Sequence, residues 1–158
     1  MKTLYLIRHA ESDWKNEETD FDRSLTPKGI IDASVMQKRL DNLNFKPDIV
    51  ICSPALRTKT TAQIITNNIT TVFESSIYEA PINNLIRVIN TLPNMHKNVA
   101  LIGHNPAISS LVNYLTGDFM NNMKPCTIVK VDLEIDNWDE ITQGSGTEVF
   151  CIYPESKN

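Results

Sequence analysis

Three short stretches of this 158-residue chain carry side chains suited to anion chemistry: Arg8-His9, Cys52-Ser53-Pro54-Ala55-Leu56-Arg57 and Gly103-His104-Asn105-Pro106. The guanidinium groups of Arg8 and Arg57 offer forked donors to the oxygens of a dianionic group such as phosphoryl. One imidazole, neutral, is a nucleophile for phosphorus and would split a transfer into two steps through a phosphorylated histidine. The other, protonated, would donate to the equatorial oxygens as charge redistributes. A carboxylic acid is then needed for the leaving group or for water, and Glu79 in Tyr78-Glu79-Ala80 is the candidate. Singly, each residue has a plainer reading: a histidine with a satisfied hydrogen bond, a solvated arginine, a loop glutamate. Arg57 is the local misfit, a cation in the first turn of a helix that costs roughly 0.3–1 kcal/mol against the dipole. Local rules broken together at one edge of a sheet mark function.

The elements that must position these residues are legible from apolar spacing. Leu4 to Ile7, Ile49 to Cys52 and Val99 to Ile102 are short, nearly continuous apolar runs, as expected of strands covered on both faces. Ala33, Met36, Leu40 and Leu43 repeat at helical spacing after Thr26-Pro27, a cap followed by a first-turn proline. Ser53-Pro54 and Asn105-Pro106 give the same start signal before two further helices, and Leu85, Val88, Ile89 and Leu92 mark another. Ile128 to Leu133 and Val149 to Ile152, around Gly144-Ser145-Gly146, predict two antiparallel strands. Alternation of this kind predicts an α/β three-layer sandwich, with a mostly parallel central sheet, helices on both faces and an antiparallel C-terminal pair. Ligands of such sheets lie beyond the carboxyl ends of the strands, where both arginines and both histidines would meet, with two helix N-termini.

Composition narrows the classes. Residues 1–158 suit one domain, with 15 basic against 19 acidic side chains, a net charge of −4 that argues against a nucleic-acid partner. Three cysteines without CxxC spacing, and the lack of any apolar run long enough for a leader or membrane span, predict a cytoplasmic protein with no membrane association. No phosphate loop of the nucleotide-binding type, dinucleotide fingerprint or zincin motif occurs. Arginines beside His9 and His104 would repel a cation, so neither metal nor cofactor is expected. Cys52 followed by Arg57 has one residue too few for a cysteine-phosphatase loop, and Asp13, Asp20 and Asp22 read as a solvated acidic face.

Leu6-Ile7-Arg8-His9-Ala10-Glu11-Ser12, Ser53-Pro54-Ala55-Leu56-Arg57-Thr58 and Gly103-His104-Asn105, in this order, resemble the histidine phosphatase (phosphoglycerate-mutase-like) superfamily. Arg-His-Ala rather than Arg-His-Gly, the short length, and Ser12-Asp13-Trp14 followed by Phe21-Asp22-Arg23-Ser24-Leu25-Thr26 resemble its SixA-type phosphohistidine phosphatases most. The resemblance implies that His9 is the phosphorylated nucleophile, that Arg8, Arg57 and His104 bind phosphate around it, and that Glu79 is the general acid. It also implies that Arg23, opening the first long helix with Asp22, edges the pocket. Mutase-active members carry asparagine six residues after the nucleophile; here that position is Lys15, with Asn16 one later. The activity so implied is a metal-independent phosphatase acting on a phosphorylated substrate, first of all a phosphohistidine-carrying protein. A small phosphorylated metabolite, transfer to a second substrate, and a non-catalytic phosphate-binding module stand as alternatives. The connection from Ile69 to Leu85 leaves no room for a lid subdomain, which suits phosphate on a protein surface.

Overall fold

The computed structural model describes residues 1–14 and 19–157; Lys15 and Asn16 lie outside them. Six strands form one sheet: β1 (Lys2–Arg8), β2 (Ile49–Cys52), β3 (Thr71–Phe73), β4 (Asn98–Gly103), β5 (Ile128–Leu133) and β6 (Gly146–Ile152). Their order is β3-β2-β4-β1-β5-β6, with β1, β2, β3 and β4 parallel and β5 and β6 antiparallel to their neighbours. Four α-helices cover it: α1 (Pro27–Asp41), α2 (Leu56–Thr66), α3 (Ile82–Asn90) and α4 (Ala107–Thr116). This is the expected sandwich, with one strand more than the apolar runs located. β3 has only three residues, at an exposed edge, and so lacks the apolar run of a covered strand.

Alternation along the central strands divides the core. Leu4 and Leu6 of β1 face a cluster with Leu85 and Ile89 of α3, Ile108 and Leu111 of α4, and Trp138. Tyr5 and Ile7 face the opposite cluster, with Ala33, Met36 and Leu40 of α1 and Ala62 and Ile65 of α2. The continuous apolar run of β1 thus reflects burial on both faces rather than a helix. Leu43, expected on the inner face of the first helix, lies beyond its end and is exposed.

Caps set where the helices begin. Thr26 accepts from the Gly29 amide through Oγ1 at 2.9 Å, with Pro27 in the first turn, and so fixes the start of α1. Gly29 is needed there for space: a Cβ would lie 2.2 Å from the Glu11 carbonyl oxygen. Backbone bonds from Thr26 N to Glu11 O (3.0 Å) and from Asp13 N to Ser24 O (2.8 Å) fold residues 11–13 against 24–26. That pairing carries residues 19–23 to the carboxyl end of the sheet.

Candidate active site

β1 ends at Arg8 with His9 next in the chain, and β4 ends beside it through the register pair Arg8 with Gly103, one residue before His104. Adjacent parallel strands therefore place the two histidines together, with ring centroids 5.3 Å apart. α2 starts after β2 and presents Arg57, buried to 4% exposure. These residues line one cavity of about 370 Å³, together with Arg23 and Glu79. All six residues expected from the sequence meet there. Arg23 reaches it by a different route: it follows a single-turn 3-10 helix at Asp20–Asp22 and precedes α1, rather than opening that helix. The backbone pairing that pulls residues 24–26 against 11–13 is the reason.

His9 is buried and donates its Nδ1–H to the Ala10 carbonyl at 2.7 Å, which leaves Nε2 as the lone-pair nitrogen of the neutral ring. Burial, with His104, Arg57 and Arg8 nearby, pushes its pKa down to about 3 against the opposing Ala10 bond. His104 is pushed down to about 4, first by burial and then by Arg57, with Asp20 opposing. Both rings are therefore neutral at pH 7. The expectation of a protonated second imidazole is corrected on this point, because three arginines and a dry setting disfavour a further cation.

Ser53 explains how a neutral His104 still donates. Its hydroxyl lies 2.8 Å from His104 Nε2; we assign Ser53 as the donor, which puts the ring proton on Nδ1. Nδ1 is buried with no partner, as are Nε of Arg8 and Nε of Arg57. Arg39 Nε and Thr127 Oγ1, outside the cavity lining, share this property, and each buried polar atom without a partner carries a desolvation cost. The Ser-Pro start signal is thus partly diverted: α2 has Ala55 at its N-cap and no side-chain cap bond. Asn105 similarly donates to the Met123 carbonyl at 2.9 Å and accepts from Ser109 at 2.6 Å, which fixes the turn after His104.

Asp20 is the site residue that sequence reasoning missed, and the reading of it as part of a solvated acidic face is corrected. Its Oδ1 accepts from Arg23 Nε at 3.0 Å, and its Oδ2 accepts from Arg57 Nη2 at 3.1 Å and from the Tyr78 hydroxyl at 2.6 Å. Its backbone carbonyl accepts from Arg57 Nη1 at 2.6 Å. These donors outweigh partial burial and hold the carboxyl at about 2. Only the spacing of Asp20 three residues before Arg23 hinted at this, since the contacts to Arg57 and Tyr78 span 37 and 58 residues. Asp22 remains exposed, accepting from Thr19.

The rim is aromatic and acidic. Trp14, 74% exposed, stacks under the Arg23 guanidinium at 3.4 Å. Glu79 is exposed on a backbone with φ of 49°, the left-handed region, so the chain reverses there and brings the carboxylate to the mouth. Cys52 is buried in the sheet with its thiol pushed up to about 12, unfit as a thiolate nucleophile.

Comparison with known proteins supplies a family and a fold. A sequence profile of the histidine phosphatase superfamily (branch 1) matches residues 4–84. The mitochondrial serine/threonine-protein phosphatase PGAM5 of Xenopus tropicalis is 42% identical over 73 residues, 46% of this chain. The chain spans about a quarter (26%) of that relative's length. The fold is similar to a candidate phosphohistidine phosphatase SixA from Nakamurella multipartitia, with TM-score 0.85 and 21% identity over 98% of this chain and 97% of that one. It is also similar to the protein histidine phosphatase SixA complexed with tungstate, with TM-score 0.82 and 20% identity over 96% and 97% of the two chains. The strand-end arginines and histidines lie in one pocket on this fold, and the chain belongs to branch 1 of the histidine phosphatase superfamily.

Proposed function

We propose that this chain is a metal-independent phosphatase that works through a phosphohistidine on His9, with protein phosphohistidine as its substrate. The observation that carries the reading is the convergence of Arg8, Arg57 and His104 on one cavity around a neutral His9. Three guanidinium groups supply the positive field that a bound metal would otherwise supply to a phosphoryl dianion.

The His9 Nε2 lone pair attacks phosphorus while the bond to the leaving group breaks, and Glu79 in its acid form gives the leaving nitrogen or oxygen a proton. The Ala10 carbonyl, already on Nδ1–H, takes up part of the charge that the ring gains. Water then attacks phosphorus, Glu79 carboxylate accepts its proton, the N–P bond breaks, and His9 recovers its lone pair with release of phosphate. Arg8, Arg57 and His104 Nδ1 hold the equatorial oxygens throughout.

Two features support a phosphorylated protein as substrate. Between Ile69 and Leu85 the chain makes only β3, a single 3-10 turn at Ser75–Ile77 and the start of α3, so no subdomain covers the mouth. Exposed Trp14 and Glu79 both line the cavity, an aromatic ring and a carboxylate that suit a flat imidazole that becomes cationic on protonation. Among the described residues, no helix is long and apolar enough to cross a membrane. We place the protein in the cytoplasm, in keeping with its free, buried Cys52 and Cys126 thiols.

The test is a comparison of initial rates on a phosphohistidine-carrying protein, on phosphoramidate and on a panel of sugar phosphates, with EDTA present and His9→Ala as the blank. The expected order places the protein first, with no loss to EDTA and no turnover by the variant. Faster hydrolysis of a sugar phosphate favours the metabolite reading. Phosphate binding without turnover favours a binding module, and wild-type rates in His9→Ala remove the covalent mechanism.

A further inference from the structure

Tyr78 touches both halves of the pocket, yet has no place in the mechanism above. Its hydroxyl donates to Asp20 Oδ2 at 2.6 Å, and its ring meets the His104 imidazole edge-on, with centroids 5.7 Å apart at 74°. Phe21 packs edge-on against the same ring at 5.2 Å and 90°. Asp20 in turn grips Arg57 twice, through its backbone carbonyl and its carboxylate, and Arg23 once. The rings of His9, His104, Tyr78 and Phe21 thus form a continuous row from the buried nucleophile to the rim.

This arrangement fixes a direction for Arg57. A guanidinium carries five N–H donors in one plane. The clamp from Asp20 takes a hydrogen from each terminal nitrogen, while Nε stays buried without a partner. Because one of the two clamping acceptors is main chain, the plane turns only if residues 19–23 move with it. The carboxylate arm depends on the Tyr78 hydroxyl, which is pinned to the face of the pocket by Phe21 and His104. Burial and the Asp20 contact push the Tyr78 phenol up to about 12, so it remains a donor across the working pH range.

We infer that Tyr78 is a positioning residue for phosphoryl binding, acting through the Asp20 carboxylate on Arg57 and Arg23 and through its ring on His104. The inference rests on the phosphatase reading and adds to it a residue that touches no substrate. The two actions separate by substitution. Tyr78→Phe keeps the ring and removes one hydrogen bond to a charged acceptor. It is expected to weaken inorganic phosphate binding, read by calorimetry, by roughly fivefold to tenfold, and to raise KM for phosphoramidate to match, with kcat held within about twofold. Tyr78→Leu removes the ring as well and is expected to lower kcat in addition, because His104 loses its lateral wall. The hydroxyl acts through a carboxylate, so in an Asp20→Asn background Tyr78→Phe adds no further loss. A general loss of fold moves kcat, KM and melting temperature together and adds in both backgrounds.

Unchanged phosphate affinity in Tyr78→Phe overturns the inference and leaves the phosphatase reading standing. So does a loss that adds in full to that of Asp20→Asn. A wild-type chain that fails to bind phosphate overturns both.

Discussion

Acidification probes the protonation state on which the mechanism depends. His9 is held neutral in the fold with a pKa of about 3, against 6.5 for an unperturbed histidine. As the pH falls through 6.5 the unfolded chain takes up a proton at this position and the folded chain does not. The unfolded state then binds more protons, and stability declines with falling pH until the folded ring also titrates near 3. Between pH 7 and pH 4 the linkage relation gives a loss of about 3 kcal/mol from His9 alone. His104, held at about 4, loses stability over the same window. The two histidines together account for about 6 kcal/mol, much of the margin of a small domain. Asp20, lowered from 3.8 to about 2, acts in a lower window and costs only a few tenths of a kcal/mol by pH 4. Urea unfolding of the wild type and of His9→Gln at pH 7 and pH 4 reads the term directly. The variant should lose about 3 kcal/mol less than the wild type between the two conditions. Equal losses would refute the claim that burial keeps this ring neutral, and with it the argument for its nucleophilicity.

Arg57→Ala removes a buried guanidinium with an unpartnered Nε and should weaken phosphate binding by about 1.5–3 kcal/mol in a calorimetric titration; unchanged affinity counts against the pocket. Ser53→Ala deletes the hydroxyl hydrogen-bonded to His104 Nε2 and is expected to lower kcat/KM on phosphoramidate about tenfold without moving the melting temperature by more than a few degrees. Gly29→Ala would improve helix propensity at an exposed site, but here its Cβ meets the Glu11 carbonyl at 2.2 Å. It should destabilise the fold by about 1–3 kcal/mol in denaturant, and a gain would show that the loop after β1 yields easily.

The strand ends were readable because their cause is local. A four-residue apolar run followed by Arg8-His9 states both the strand and its termination, and the parallel register of β1 with β4 brings His104 alongside. Arg57 was readable as a cation placed against its own helix dipole. Asp20 and Tyr78 were not, since their meaning arises only when residues 37 and 58 positions apart are folded together. Charge pattern alone could not separate Asp20 from exposed Asp22, two residues away. The protonation of His104 escaped for a related reason. The sequence supplies the imidazole, while burial and the summed field of Arg57, Arg23 and Arg8 decide its charge.

His9 is anchored through its main chain as well as its ring. Its amide donates to Gly103 O at 3.3 Å and its carbonyl accepts from Cys126 N at 3.0 Å, tying it to both neighbouring segments of the sheet. Such an amide exchanges its hydrogen only when the sheet itself opens, so isotope exchange at His9 should track global unfolding. The nucleophile is in effect a fixed anvil. Across the pocket, Asp20, Tyr78 and Glu79 stand on single-turn and loop backbone, so that wall is held by side-chain bonds where the His9 wall is held by the sheet.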